Sequence, residues 1–435
     1  MNIPVVALVG RPNVGKSALF NRIIGQNSAI VSEEAGTTRD RHFARAEWNG
    51  RQFWLVDTGG IAEDPREPMD LAIRRQVQTA IAESDLLLLV VDAKMGVHPS
   101  DQHVVDTLRD SRKPWLLVAN KVDNPRSTDF YEFYSIGAGD PLPVSAANGT
   151  NSGDLLDAIT DRLPESAAEA EDELRVAVIG RPNVGKSSIV NRLLGEERLV
   201  VSEVAGTTRD AIDTPMQYHG RSVVFVDTAG LRRQSKVDEG IEFYSGLRAR
   251  RAIERATICV LVIDATEGLH NQDLKIATLA WEAGRGLIIA VNKWDLFEKD
   301  DKSAAKFERE AEEKAPYLRF VPFLFISAKT GQRVQRLMDV IMEVDRERQK
   351  RIGTSEVNTV LEGLVARRQP PQGGGREVKM NYATQVETAP PMIAVFGNAP
   401  DLVQEHYIRY LHNGFREAWG FTGNPLRVVM RRKSA

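Results

Sequence analysis

The octapeptide GRPNVGKS occurs twice in this chain, beginning at Gly10 and again at Gly180, 170 residues later. Each copy follows a short apolar, β-branched run, IPVVALVG in the first case and RVAVIG in the second, and each opens a stretch expected to be helical. In the first copy the helix begins in ALFNRIIG, and Gly25 can end it. Strand, G-x-x-x-x-G-K-[ST] and helix in that order form a phosphate-binding loop. Glycines let backbone N–H groups converge on phosphate oxygens, and the helix N-terminus adds partial positive charge. A chance glycine-rich turn would lack that strand and helix on either side.

The same motif order continues after each loop. Asp57 and Asp227 each lie 47 residues beyond the first glycine of their loop, in VDTGG and VDTAG. A carboxylate at a strand end suits the magnesium side of a nucleotide, and the glycine N–H can meet a γ-phosphate. WLLVANKVD and LIIAVNKWD then supply N-K-x-D, whose aspartates, Asp123 and Asp295, can accept from guanine N1–H and its exocyclic amine. Adenine lacks that donor pair, so the motif selects GTP; a site built to pair buried polar groups rejects the wrong analogue by about 10⁴. PVSAAN and FISAKT offer a backbone amide to the guanine carbonyl.

The first predicted nucleotide site comprises Gly10, Arg11, Pro12, Asn13, Val14, Gly15, Lys16, Ser17, Asp57, Thr58, Gly59, Gly60, Ile61, Asn120, Lys121, Asp123, Ser145 and Ala146. The second comprises Gly180, Arg181, Pro182, Asn183, Val184, Gly185, Lys186, Ser187, Asp227, Thr228, Ala229, Gly230, Leu231, Asn292, Lys293, Asp295, Ser327 and Ala328. Lys16 and Lys186 are expected to reach the outer phosphates. Mg²⁺ is assigned to Ser17, Thr38 and Asp57 in one site and to Ser187, Thr208 and Asp227 in the other. The threonines come from the repeated AGTTRD, with Thr37 and Thr207 as alternatives. Lys16, Thr38, Lys186 and Thr208 are the candidate catalytic residues.

These motifs predict two tandem α/β domains of the doubly wound type, with nucleotide at the carboxyl ends of the strands. They are assigned to 1–164 and 175–350, joined by an acidic tether at 165–174 and followed by a small α+β module at 351–435. Between N-K-x-D and S-A the second copy is longer, and FEKDDKSAAKFEREAEEKAP is read there as an exposed charged helix. At 435 residues the chain exceeds one ordinary core. No apolar run approaches the ~20 residues of a membrane span. The N-terminus has no secretory pattern, and the only cysteine, Cys259, lies in the apolar run ATICVLVID as a core thiol. A cytoplasmic, monomeric protein with no membrane partner is expected.

Two domains each bearing GRPNVGKS, AGTTRD and DT[GA]G resemble the bacterial tandem GTPases of the EngA, or Der, family, and the resemblance covers essentially the whole chain. It implies a switch that binds GTP and GDP and acts in assembly of the large ribosomal subunit, with that subunit and its rRNA as partners. It also implies a KH-like third domain. Residues 351–435 carry a net charge of +4 while the rest of the chain carries −7, which fits RNA contact. The G-x-x-G of a nucleic-acid-clamping KH module has one candidate here, GFTG at Gly420, between a helix and the last strand. A capping role for Gly420, and docking of the module on a GTPase domain, are the competing expectations. LRRQSK, with Arg232, Arg233 and Lys236, and LRARRAIERA from Leu247 are further basic stretches, read as candidate rRNA or inter-domain contacts and as a solvated helix face respectively.

The positions after D-x-x-G, where many GTPases keep a water-orienting glutamine, hold Ile61 and Leu231. In related GTPases with this loop the asparagine matching Asn13 and Asn183 ligates K⁺, which implies slow, K⁺-stimulated turnover; the alternative is that these asparagines serve the turn geometry. Other readings are a tRNA-modification-type GTPase and an RNA-binding scaffold with structural GTP sites.

Overall fold

The computed structural model describes residues 3–26, 43–60, 69–124, 126, 128–164, 173–195, 200–201, 213–228, 241–297, 303–370 and 377–432. They fall into two compact units, Met1–Glu169 with Val237–Leu247, which holds one sheet, and Ala170–Lys236 with Arg248–Ala435, which holds another sheet and the C-terminal module.

In the first unit, β1 (Val5–Val9) runs into α1 (Lys16–Gln26). Then follow β2 (Phe43–Trp48), β3 (Arg51–Asp57), α2 (Met69–Glu83), β4 (Leu86–Asp92), α3 (Pro99–Asp110), β5 (Trp115–Asn120), β6 (Leu142–Pro143) and α4 (Ser152–Arg162). The sheet order is β2-β3-β1-β4-β5-β6, parallel except for the antiparallel β2. A parallel sheet is covered on both faces, so its strands are apolar throughout rather than alternating. Accordingly every residue of LLLLVVD in β4 is buried. Val5, Ala7, Leu87 and Leu89 pack into the core on one face of the sheet, and Val6, Leu8, Leu86 and Leu88 into the core on the other.

The second unit repeats this plan. β7 (Leu174–Ile179) leads into α5 (Lys186–Leu194), then β8 (Val200–Val201), β9 (Thr214–Tyr218), β10 (Arg221–Val226), α6 (Ile241–Arg255), β11 (Ile258–Asp264), α7 (Asn271–Glu282), β12 (Gly286–Asn292), α8 (Ser303–Lys314), β13 (Phe323–Phe325) and α9 (Val334–Arg348). Its order is β13-β12-β11-β7-β10-β9-β8, so β8 extends the edge that β2 closes in the first sheet. In both sheets the strand before the phosphate loop stands where the chain order reverses, the crevice in which such folds bind ligands. Cys259 lies in β11 fully buried, and burial pushes its thiol up to about 12, as a core role requires. The charged helix expected in the longer loop is α8, although Phe307 and Ala311 bury one face of it.

The C-terminal module consists of α10 (Thr354–Arg367), β14 (Met380–Thr388), β15 (Pro391–Gly397), α11 (Glu405–Trp419) and β16 (Arg427–Arg432). β14 and β15 are antiparallel and β16 lies parallel to β15. Both helices contribute to the one core, in which Val357, Leu361, Tyr407, Leu411 and Phe415 meet Ala383, Ile393 and Val395.

GFTG is a docking loop. Gly420 caps α11, its N–H donating to Arg416 O. Gly423 N–H then donates to Phe320 O at 2.7 Å, and Gly423 O accepts from Leu287 N–H at 2.7 Å, so the loop is hydrogen-bonded to the second GTPase sheet. Gly423 has φ +72°, and a side chain there would collide with Val344. Asn424 Nδ2 donates to Val344 O, and Phe421 N–H to Glu347. The buried Arg416 guanidinium lies 4.4 Å from the Phe320 ring centre and donates to the carbonyls of Gly420, Phe421 and Asn424. Burial, with Arg319 nearby, pushes that guanidinium down to about 9.

One sequence expectation is corrected in the first unit. α1 runs through Gly25 to Gln26, because Gly25 does not take the left-handed φ that would stop a helix there.

Candidate functional site

The two phosphate loops have the same conformation because the same residues brace them. Lys16 Nζ donates to Gly10 O and Arg11 O, each at 2.7 Å, and Lys186 Nζ donates to Gly180 O and Arg181 O at 2.9 and 2.5 Å. Each lysine is thus folded over its own loop with its ammonium among carbonyl oxygens. Burial, reinforced by Arg248, pushes the Lys186 ammonium down to about 8. Asn120 Nδ2 donates to Val14 O, and its Oδ1 accepts from Ala146 N–H. Asn292 repeats both bonds with Val184 O and Ala328 N–H. The N-K-x-D asparagine therefore ties the base-side loop to the phosphate loop, and in both copies it takes the Ala146 or Ala328 amide. A side chain on Gly15 or Gly185, at φ +94° and +98°, would run into that carboxamide.

Asn13 and Asn183 take the left-handed conformation, at φ 65° and 61°, with exposed side chains. Asparagine tolerates that region better than most residues. Turn geometry alone thus accounts for an asparagine here, and the exposed carboxamide stays accessible to a ligand.

On the base side, Asp123 accepts from Ser145 Oγ and from Lys94 Nζ, each at 2.6 Å. Lys94, and after it Ser145, hold the Asp123 carboxyl below its ordinary range. Lys121 Nζ bridges Asp92 Oδ2 at 2.6 Å and Asn13 O at 2.8 Å. Lys293 pairs with Asp264 at 2.5 Å in the second copy. Between the first turn of α1 and the end of β3, Ser17 Oγ donates to Asp57 Oδ2 at 2.5 Å, and Gly59 N–H donates to Asp57 Oδ1. A hydroxyl beside a carboxylate is a hard-oxygen pair of the kind Mg²⁺ takes. Thr58 Oγ1 donates to Leu8 O, fixing the turn after β3. In the second copy Thr228 is hydrogen-bonded to Thr214, and Asp227 N–H donates to Asp213.

The Arg11 and Arg181 side chains donate to the carboxylates of Asp101 and Asp273. Those aspartates also accept from His98 and His270 N–H, closing the first turns of α3 and α7. Sequence reasoning missed Asp92, Asp101, Asp264 and Asp273. A signal was present: VVDAKMG and VIDATEG, and HPSD and HNQD, are equivalent in the two copies. Thr37, Thr38, Thr207, Thr208, Ile61, Ala229, Gly230, Leu231 and the LRRQSK stretch lie outside the described residues. Of LRARRAIERA, Arg255 is spent on a buried ion pair with Asp213. Among the described residues no cluster of three or more His, Cys, Asp or Glu could hold a metal ion, and no helix is long and apolar enough to cross a membrane.

Two phosphate loops, each tied by an N-K-x-D asparagine and each followed in the sequence by D-x-x-G, define a tandem GTPase of the P-loop class. The family model described as "50S ribosome-binding GTPase" matches residues 5–121 and 175–293, and the model of the "KH-domain-like of EngA bacterial GTPase enzymes, C-terminal" matches 351–431. The chain is 68% identical over 436 residues to GTPase Der of Gemmatimonas aurantiaca, covering all of both chains. It is 49% identical to GTPase Der of Caldanaerobacter subterraneus and 50% identical to that of Pelotomaculum thermopropionicum, with at least 99% of each chain covered. The chain belongs to the GTPase Der family. It is a GTP-binding, GTP-hydrolysing switch protein, and GTP, GDP and Mg²⁺ are the ligands that membership implies.

Proposed function

We propose that this GTPase acts in the cytoplasm, as a monomer, in assembly of the large ribosomal subunit, binding the subunit and its rRNA when both of its sites hold GTP. The observation that carries this reading is the retention, in both copies, of the whole bracing set: the folded-over lysine, the asparagine tie and the N-K-x-D lysine–aspartate pair. Neither copy looks like a decayed duplicate. The printed description of the matching family, 50S ribosome-binding, supports the choice of partner.

In this reading Lys16 and Lys186 leave their loop carbonyls for the β- and γ-phosphates. Asp123 and Asp295 take the guanine edge. Ser17 with Asp57, and Ser187 with Asp227, serve the magnesium side, with Thr38 and Thr208 completing it. Bound Mg²⁺ would neutralise charge developing between the β- and γ-phosphates. Asn13 and Asn183 would hold K⁺, which when bound would supply part of the ~10³–10⁵ that an arginine finger contributes, and turnover is expected to be slow.

The test is co-sedimentation with large subunits in the presence of a non-hydrolysable GTP analogue. A nucleotide that biases a two-state arrangement by ~1–3 kcal/mol shifts it about 5–150-fold; two together approach the ~5.5 kcal/mol that swings 1:99 to 99:1. Lys16→Ala and Lys186→Ala are each expected to abolish most binding. A single mutant that binds like the unaltered chain sinks the two-site requirement, and failure of the unaltered chain to bind sinks the partner.

A further inference from the structure

We propose that the outer face of the β14-β15-β16 sheet is a stacking platform for single-stranded RNA, with Tyr382 and Phe396 receiving bases and Arg431 the phosphate beside them. This rests on the RNA partner of the preceding section and names where the C-terminal module would touch it.

The alternation along the strands separates the two faces. Ala383, Ile393, Val395, Val428 and Met430 belong to the module's core. Their neighbours Tyr382, Ala394, Phe396, Val429 and Arg431 therefore point from the opposite face. There Tyr382 stands opposite Phe396 in the antiparallel register, and Phe396 opposite Arg431 in the parallel one, so the three form one row across the sheet. The Tyr382 and Phe396 rings are stacked, 4.4 Å apart and inclined by only 7°. Tyr382 remains 37% exposed and Val386, further along β14, 40%.

A cross-strand aromatic pair stabilises a sheet wherever it sits, so the pair alone would say little. Its electrostatic setting supplies the second observation. β16 carries Arg427, Arg431 and Arg432 and no carboxylate. Arg427 is spent on Glu282 O and Arg432 on Asp401, while Arg431 has no carboxylate partner among the described residues. The one carboxylate of β14, Glu387, lies at the far end of the sheet, opposite Met392. Flat rings beside an unspent guanidinium match a nucleic-acid strand, whose bases stack on aromatic faces while cations track its backbone. GFTG, the one G-x-x-G candidate of the sequence, is hydrogen-bonded to Phe320 and Leu287.

The platform fits unpaired RNA rather than duplex, since a paired base cannot reach a ring standing on a sheet. The test uses the full chain and fluorescein-labelled uridine and adenosine oligomers of about 10 nucleotides, with a hairpin duplex as control, by anisotropy at about 50 and about 200 mM salt. The unaltered chain is expected to prefer the single strands and to weaken as salt rises. Tyr382→Ala should weaken binding about 5- to 150-fold, the range of one lost base–aromatic stack. Tyr382→Phe should retain it, which separates stacking from folding. Arg431→Gln, at an exposed position, should flatten the salt slope by about 0.7, one phosphate contact to a single strand. A 5-iodouridine oligomer should photo-crosslink to the peptide holding Tyr382 or to that holding Phe396. Equal binding by Arg431→Gln and Tyr382→Ala, cross-links confined to other peptides, or preference for the duplex overturns the proposal. So does absence of oligomer binding by the unaltered chain; whether large subunits then still co-sediment decides separately if the ribosome reading falls with it.

Discussion

Arg11 donates to both carboxylate oxygens of Asp101, at 2.8 and 3.2 Å, in a pair that spans 90 residues of sequence and leaves Asp101 fully buried. The phosphate loop is thereby fastened to the first turn of α3, and Arg181 with Asp273 fastens the second loop to α7 in the same way. Breaking a buried pair from one side strands the remaining charge, at a cost of about 3–5 kcal/mol. Asp101→Asn is therefore expected to lower stability by that order and to weaken nucleotide binding at site one, leaving site two unchanged. Chemical denaturation together with titration of a fluorescent GDP analogue measures both. Unaltered affinity at site one would show that the loop holds its shape without the pair.

Base recognition has its own test. Asp123→Asn should weaken GTP binding at site one and Asp295→Asn at site two, each leaving the other site intact. Each variant should gain acceptance of xanthosine triphosphate, whose C2 carbonyl can accept from the new amide. Titration of both nucleotides into both variants checks this, and unchanged GTP affinity removes the guanine assignment.

Turnover should be faster in K⁺ than in Na⁺ at equal ionic strength. The exposed Asn13 and Asn183 carboxamides, and the absence of glutamine at Ile61 and Leu231, lead to this expectation. Asn13→Ala and Asn183→Ala should each remove the cation dependence of its own site. Phosphate release in matched chloride salts is the measurement, and equal rates exclude K⁺ from the mechanism.

Acid should loosen the docked module. Burial, and then the Arg416 guanidinium, push the His412 imidazole down to about 4. The unfolded chain titrates near 6.5, so between those values only the unfolded state binds the proton. The associated stability is fully present above about pH 7 and is lost as pH falls toward 4, by an amount on the order of 3 kcal/mol. His412→Asn should flatten this dependence when denaturation at about pH 7.5 and about pH 5 is compared. A variant that loses as much stability as the unaltered chain assigns the acid sensitivity elsewhere.

The phosphate loops, the N-K-x-D aspartates and the sheet plan were legible because local geometry dictates them. A strand must feed a loop of converging amides, and only glycine fits beside the Asn120 and Asn292 carboxamides. Asp92 and Asp101 were not legible as site residues, because their roles are created by partners 29 and 90 residues away. Gly25 shows the limit of local rules. Glycine permits a helix to stop but does not compel it, and here α1 carries on through it. GFTG shows the same limit at a larger scale: its spacing suits a nucleic-acid clamp, but Phe320 and Leu287 decide what it does.

The bond between Gly423 and Leu287 has a practical bearing on how the protein can be taken apart. A fragment ending at Lys350 would keep every nucleotide motif of the second copy. It would also leave Leu287 N–H without its acceptor, and lay open Phe320 and Val344 where the docking loop had covered them. Newly bared apolar surface invites aggregation. Poor solubility of such a fragment would then report a torn seam and say nothing about GTP. Dissection at the acidic stretch before Leu174 instead keeps the second phosphate loop, its sheet and the docked module on one piece.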